Sequence, residues 1–139
     1  MSFAKIIIYT DGGARGNPGP AGIGAIAYDE EKRVVFTVSE FLGVATNNQA
    51  EYKAVIAALE KAREIGAEEL DFYLDSELVV KQLKREYKVK NEGIAPLFLK
   101  VHNLTLVFKK VKFTHIPREK NKEADRLANE AMDRGRVGS

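Results

Sequence analysis

Residues 5–28, KIIIYTDGGARGNPGPAGIGAIAY, carry the pattern that decides the fold. Three consecutive isoleucines and a tyrosine run into an acid, which reads as a short buried strand over residues 5–11. Gly12 and Gly13 break it, and residues 12–22 read as a glycine- and proline-rich loop. Residues 23–28, built from small apolar side chains, form a second strand. Residues 29–33 make a turn, and the alternation over 34–44 predicts a third strand, so the chain opens with an antiparallel run of three.

The period then changes. From residue 48 to 65, Tyr52, Val55, Ile56, Leu59 and Ala62 recur at helical spacing on one face, and Gly66 ends the helix. Residues 69–74 form a strand, after which Asp75-Ser76 opens a helix carrying Leu78, Val79, Leu83 and Tyr87. Asn91-Glu92-Gly93 breaks that segment, and Pro96 introduces another helix running to about residue 104. Residues 107–116 make a last strand ended by Pro117. Residues 121–134 form a final helix through Ala124, Leu127, Ala128, Ala131 and Met132, with Gly135 as its cap. The order β-β-β-α-β-α-α-β-α predicts an α/β domain with a mixed sheet and helices on its faces. One domain over residues 1–135 and a frayed tail over 136–139 are expected.

Composition narrows the class. The chain has 139 residues, 45% of them apolar and 30% charged, which fits one globular core. There is no cysteine, so neither a disulfide nor a thiolate metal site exists. No apolar stretch approaches the ~20 residues of a spanning helix, and the first residues lack a secretory layout, so a cytoplasmic location is expected. The formal net charge is only +2, yet basic residues cluster. Lys81, Lys84, Arg85, Lys88 and Lys90 stand against Glu86 alone, and Lys109, Lys110, Lys112, Arg118, Lys120 and Lys122 follow. Such runs can bind phosphate backbones or form solvated faces.

Four acids stand out: Asp11, Glu51, Asp75 and Asp125. Each has a structural alternative. Asp11 could start a turn by accepting from glycine-loop amides. Glu51 could complete a capping box with Asn48, although it borders the apolar stripe of its helix. Asp75 could cap a helix. Asp125 lies on the edge of an apolar helix face and has the weakest structural excuse. If the first and fourth strands are parallel neighbours, Asp11 and Asp75 share the carboxyl edge where α/β sheets gather ligands. Acids converging there would suit a hard divalent cation held against phosphate. Gly22-Ile23-Gly24-Ala25-Ile26-Ala27 matches a GxGxxA dinucleotide fingerprint in form only, because it reads as a strand and not a strand-to-helix turn.

The segments YTDGGARGNPGPAGIGA (9–25), TNNQAEYKAVIAALE (46–60), LDSELVV (74–80) and NKEADRLAN (121–129) occur in an order that resembles type 1 ribonuclease H over nearly the full length. The resemblance implies an RNase H-like fold, with a five-stranded mixed sheet of three antiparallel strands followed by two parallel ones, and helices on both faces. It implies an endonuclease that cuts the RNA strand of RNA–DNA hybrids with two Mg²⁺ ions, Mn²⁺ being an alternative, to leave 5′-phosphate and 3′-hydroxyl ends. Asp11, Glu51, Asp75 and Asp125 would hold the metal. Gly12, Gly13, Arg15 and Asn17 would meet the RNA strand. Asn47, Asn48 and Gln49 would read the minor groove, Thr46 would face a DNA phosphate, and Ser76 would add a further substrate contact.

The resemblance carries departures. Many relatives have a mobile loop histidine before the last helix. His115 stands at the family interval from Asp125, but His115-Ile116-Pro117 reads as a strand end, which implies a shortened loop with Arg118 or Glu119 in its place. The family's tryptophan-bearing basic protrusion has no tryptophan here. A monomer with no membrane attachment and no small-molecule cofactor is expected. A non-cleaving hybrid-binding module and a related nuclease or junction resolvase on the same fold are the alternatives.

Overall fold

A computed structural model describes residues 3–137 of the chain. Its strands are β1 (Lys5–Ala14), β2 (Gly19–Asp29), β3 (Val34–Ala45), β4 (Glu69–Leu74) and β5 (Lys110–His115). Its helices are α1 (Asn47–Glu64), α2 (Glu77–Leu83), α3 (Ala95–Thr105) and α4 (Lys122–Val137), with a 3-10 turn at Arg118–Lys120. The strands form one sheet in the order β3-β2-β1-β4-β5. The first three pair antiparallel, and β4 pairs parallel with both β1 and β5.

Local chemistry explains the elements. In β1, Ile6 and Ile8 are fully buried in the core with α1, while the alternate residues Ile7 and Tyr9 face the other side of the sheet. The stripe Tyr52, Val55, Ile56, Leu59 and Ala62 of α1 is buried against the sheet and α3. Gly66, at φ +72°, stands just beyond the Ile65 cap, in the left-handed conformation that ends a helix. Helix α4 packs on the opposite face, across β2, β3 and β1. Helices therefore cover both faces. Among the described residues, no helix is long and apolar enough to cross a membrane.

Several expected boundaries move. The loop expected over residues 12–22 shrinks to a turn at 15–18, because β1 extends to Ala14 and β2 starts at Gly19. The glycines here serve close approach: a Cβ on Gly12 would overlap the Ala50 backbone of α1, and one on Gly22 would stand 2.7 Å from the Ala128 carbonyl oxygen of α4. Helix α2 stops at Leu83, not near Tyr87, as the chain turns through Arg85 at φ +64°. Gly135 lies inside α4, where only a glycine leaves room for the Phe41 ring, so it does not cap the helix. Helix α4 continues to Val137, and residues 138 and 139 of the expected tail lie outside the described residues.

Candidate active site

Parallel pairing sets the first relationship. Thr10 of β1 lies opposite Leu74, the last residue of β4, so the next residues, Asp11 and Asp75, stand side by side at the carboxyl end of β4. Asp11 remains within β1, paired with Gly24, and does not start a turn. Glu51 arrives from the other direction. The close seating of Gly12 under Ala50 brings the first turns of α1 over β1, and the Gly12 amide donates to Glu51 Oε1 at 3.4 Å.

The helix caps release two of the acids from structural duty. Thr46, not Asn48, caps α1: its hydroxyl accepts from the Gln49 amide at 3.1 Å, and the Gln49 side chain accepts from the Thr46 amide at 2.9 Å. This reciprocal capping box leaves Glu51 outside the cap. Ser76 caps α2 by accepting from the Val79 amide at 3.3 Å, so Asp75 is not the cap either.

Asp11, Glu51 and Asp75 each offer a carboxylate oxygen within 4.8 Å of the others. Asp11 is 8% exposed and Glu51 7%. Burial, then the charge of Asp75, with Asp125 adding to it against an opposing hydrogen bond from Glu51, pushes Asp11 up to about 7. Burial, followed by the charge and hydrogen bond of Asp11, holds Glu51 well above the carboxylate range. Asp125 stands outside the trio but lines the same cleft from α4. Acids so placed cannot all ionise without a positive partner. The donor set is wholly oxygen, and the buried Oε2 of Glu51 has no hydrogen-bond partner. Both features suit a hard divalent cation.

The cleft around these acids has a volume of about 390 Å³ and is lined also by Gly12, Gly13, Arg15, Asn47, Asn48, Ser76 and Arg118. A recess of about 200 Å³ holds Asn17, Thr46 and Gln49, and Asn48 borders both. The two form a continuous polar surface. Asn47 and Asn17 also build it: Asn47 Oδ1 accepts from the Ala14 amide at 2.8 Å, and Asn17 Oδ1 accepts from the Asn47 amide at 3.0 Å. Asn47 thus ties the 15–18 turn to the start of α1 and does not cap it.

His115 is not brought to the cleft. As the last residue of β5 it lines a separate cavity of about 930 Å³ with Glu77, Lys81 and His102. Pro117 and the 3-10 turn lead directly into α4, leaving no loop to swing a histidine back. Arg118 does line the acid cleft.

Sequence reasoning passed over four polar residues here. Asn121 donates to Asp75, and Asn129 and Asp133 hold the Arg15 guanidinium at 3.4 and 2.6 Å. Asn91 lines the recess. Asn121 and Asn129 stand four residues before and after Asp125, a helical spacing that places all three near one face and could have drawn attention to them.

Residues 9–131 match the reverse transcriptase-like family model. A bifunctional protein of Mycobacterium tuberculosis is 43% identical over 130 residues, which cover 93% of this chain and 36% of the relative. Ribonuclease HI of Halobacterium salinarum is 40% identical over 129 residues, covering 93% of this chain and 65% of the relative. The chain therefore spans about a third of the mycobacterial protein's length. The solved N-terminal RNase H domain of that mycobacterial protein superposes with a TM-score of 0.90 at 42% identity, covering 93% of this chain and 99% of that one. LC11-RNase H1, solved with an RNA/DNA hybrid, gives 0.89 at 46% identity, covering 94% and 98%.

Proposed function

The chain belongs to the type 1 ribonuclease H family, and from that premise we propose that it is a divalent-metal-dependent endonuclease hydrolysing the RNA strand of RNA–DNA hybrids. The observation that carries this reading is the convergence of Asp11, Glu51 and Asp75 within 4.8 Å, with a buried Glu51 oxygen left unpaired. A binding module has no use for such a cluster, whose mutual repulsion weakens the fold.

Asp11, Glu51, Asp75 and Asp125 are the residues that would hold Mg²⁺, or Mn²⁺ in its stead. Two such ions, when bound, supply a nucleophilic water and charge stabilisation for an in-line displacement at phosphorus. The chain's own groups do the rest. Backbone groups of Gly12 and Gly13, with Arg15 and Asn17, orient the RNA strand so that its phosphodiester lies over the acids. Asn47, Asn48 and Gln49 meet the minor groove, where the 2′-hydroxyl distinguishes RNA from DNA. Thr46 faces a phosphate of the DNA strand, and Ser76 borders the substrate path. Attack by water forms one P–O bond as the bond to the 3′ oxygen breaks. That oxygen leaves as a 3′-hydroxyl, and the phosphate stays on the 5′ end of the other fragment.

The proposal takes residues 1–135 as one catalytic domain acting as a cytoplasmic monomer, and the mass measured in solution checks the monomer. Labelled RNA–DNA, double-stranded RNA and double-stranded DNA, each with Mg²⁺ and with excess chelator, test the activity. Cutting of the hybrid alone, and only without chelator, is expected. A hybrid bound tightly yet left intact in Mg²⁺ selects a binding module, and cutting of branched DNA in preference to the hybrid selects a resolvase.

A further inference from the structure

Asn121 sits immediately before α4 and is 1% exposed. Its side-chain amide donates to the Thr10 carbonyl at 2.9 Å and to Asp75 Oδ2 at 3.0 Å. Thr10 is the residue before Asp11, and it pairs across the sheet with Leu74, the residue before Asp75. The Asn121 carbonyl accepts from the Asp125 amide at 3.1 Å. One side chain and its own peptide thus join the segments that carry Asp11, Asp75 and Asp125.

The remaining side-chain oxygen, Oδ1, is buried and has no hydrogen-bond partner. A buried acceptor left unpaired carries a desolvation penalty, so a residue placed only to stabilise the junction would better be apolar. The donor face of the amide is what the position uses. Both amide hydrogens are spent on fixed acceptors, and the Asp75 carboxylate is held by a neutral group. A lysine or arginine here would bring positive charge into competition with a cation, and an acid would repel Asp75.

We propose that Asn121 is a positioning residue whose amide fixes the Asp75 carboxylate in the orientation required by a divalent cation shared with Asp11 and Glu51. The inference rests on the metal-dependent reading of the site. Partners of this kind, behind the residues that bind the ion, typically cost 10–100-fold in metal affinity or activity when removed.

The test titrates Mn²⁺ into the full chain by calorimetry and follows hybrid cleavage across a range of Mg²⁺ concentrations. Asn121→Ala is expected to weaken Mn²⁺ binding by roughly 10- to 100-fold and to raise the Mg²⁺ needed for half-maximal cleavage in parallel. Turnover at saturating Mg²⁺ stays within about threefold, because the acids themselves remain. Asn121→Ser, which keeps a small donor, is expected to recover part of the loss, and it carries the test if the alanine variant does not fold. In an Asp75→Asn background the alanine substitution is expected to change Mn²⁺ affinity by less than about twofold, since its effect runs through Asp75. Folded alanine and serine variants that bind Mn²⁺ as the wild type does would overturn the inference while leaving the nuclease reading intact. A wild-type chain that neither binds Mn²⁺ nor cuts the hybrid would overturn both.

Discussion

Gly24 of β2 lies directly beneath Ala124 of α4: a methyl group at Gly24 would overlap the Ala124 carbonyl and stand 2.6 Å from the Ala128 nitrogen. The same glycine pairs across the sheet with Asp11, so it is a common seat for Asp11 and for the helix bearing Asp125. Gly24→Ala must therefore push α4 outward, because both clashing groups are backbone and cannot rotate away. Overpacking of this kind costs about 1–3 kcal/mol, and thermal unfolding should show a Tm lower by several degrees. Hybrid cleavage should fall with it as Asp125 is displaced. A variant of unchanged Tm would mean that the helix is not seated as described.

Metal-free protein should lose stability as pH rises. Asp11 is pushed up to about 7 by burial and by the charge of Asp75, against an ordinary value of 3.8. Between those values the folded state keeps a proton that the unfolded chain has released, so raising the pH favours unfolding. This contribution of Asp11 is full below about pH 4 and is lost as pH rises through 7, by an amount on the order of a few kcal/mol. Thermal melts in chelator from pH 4 to 8 check this. Asp11→Asn removes the titrating group, so its Tm should exceed the wild type's at pH 8 and its pH profile should be flatter. Millimolar Mg²⁺ should raise the Tm of the wild type and leave that of the variant nearly unchanged, and the variant should not cut the hybrid. A wild-type Tm that climbs between pH 5 and 8 in chelator would contradict this account.

Arg118 and His115 separate two accounts of the chain entering α4. Arg118 lines the acid cleft, while His115 faces the cavity between β5, α2 and α3. An arginine bonded to a phosphate contributes a charge-assisted hydrogen bond, and losing it lowers kcat/KM by about tenfold or more. Arg118→Ala should show that loss, and His115→Ala should stay within about twofold of the wild type. The opposite ranking would mean that the histidine reaches the substrate through a rearranged strand end.

The architecture was legible where one local pattern served one purpose. The helical recurrence of Tyr52, Val55, Ile56, Leu59 and Ala62 named the buried face of α1. The apolar runs before Asp11 and Asp75 set the two acids side by side, Asp75 at the end of β4 and Asp11 inside β1, which continues to Ala14. Glycines were harder. Gly12 and Gly22 read as loop residues and Gly24 as an ordinary strand residue, because nothing local says that another backbone will lie against them. The caps were misassigned for a related reason: Thr46-Asn47-Asn48-Gln49 and Asn48-Gln49-Ala50-Glu51 both have cap-like spacing, and only the position of the helix start chooses between them. Asn121 stayed hidden because its partners, Thr10 and Asp75, are 111 and 46 residues away in sequence.

Binding of the hybrid should depend only weakly on salt. Two of the five cations over residues 81–90 are paired within the fold, Lys81 to Glu77 at 3.1 Å and Lys84 to Glu86 at 3.4 Å. Lys81 also lies over the Tyr87 ring, 4.9 Å from its centre, which holds it against the turn that follows α2. Among the described residues Arg85, Lys88 and Lys90 make no ion pair, which leaves three cations of this run to displace counterions from a phosphate backbone. With about three phosphates contacted, log affinity should fall against log salt with a slope of about −2.7, or about 40-fold between 50 and 200 mM. The non-cleaving Asp11→Asn variant allows the measurement by fluorescence anisotropy without loss of substrate. A slope steeper than about −6 would require the 81–90 segment to open its ion pairs and grip the duplex as a cationic arm. In that case Lys84→Ala should make the slope about one unit shallower; in the fold described here, where Lys84 is paired to Glu86, it should leave the slope unchanged.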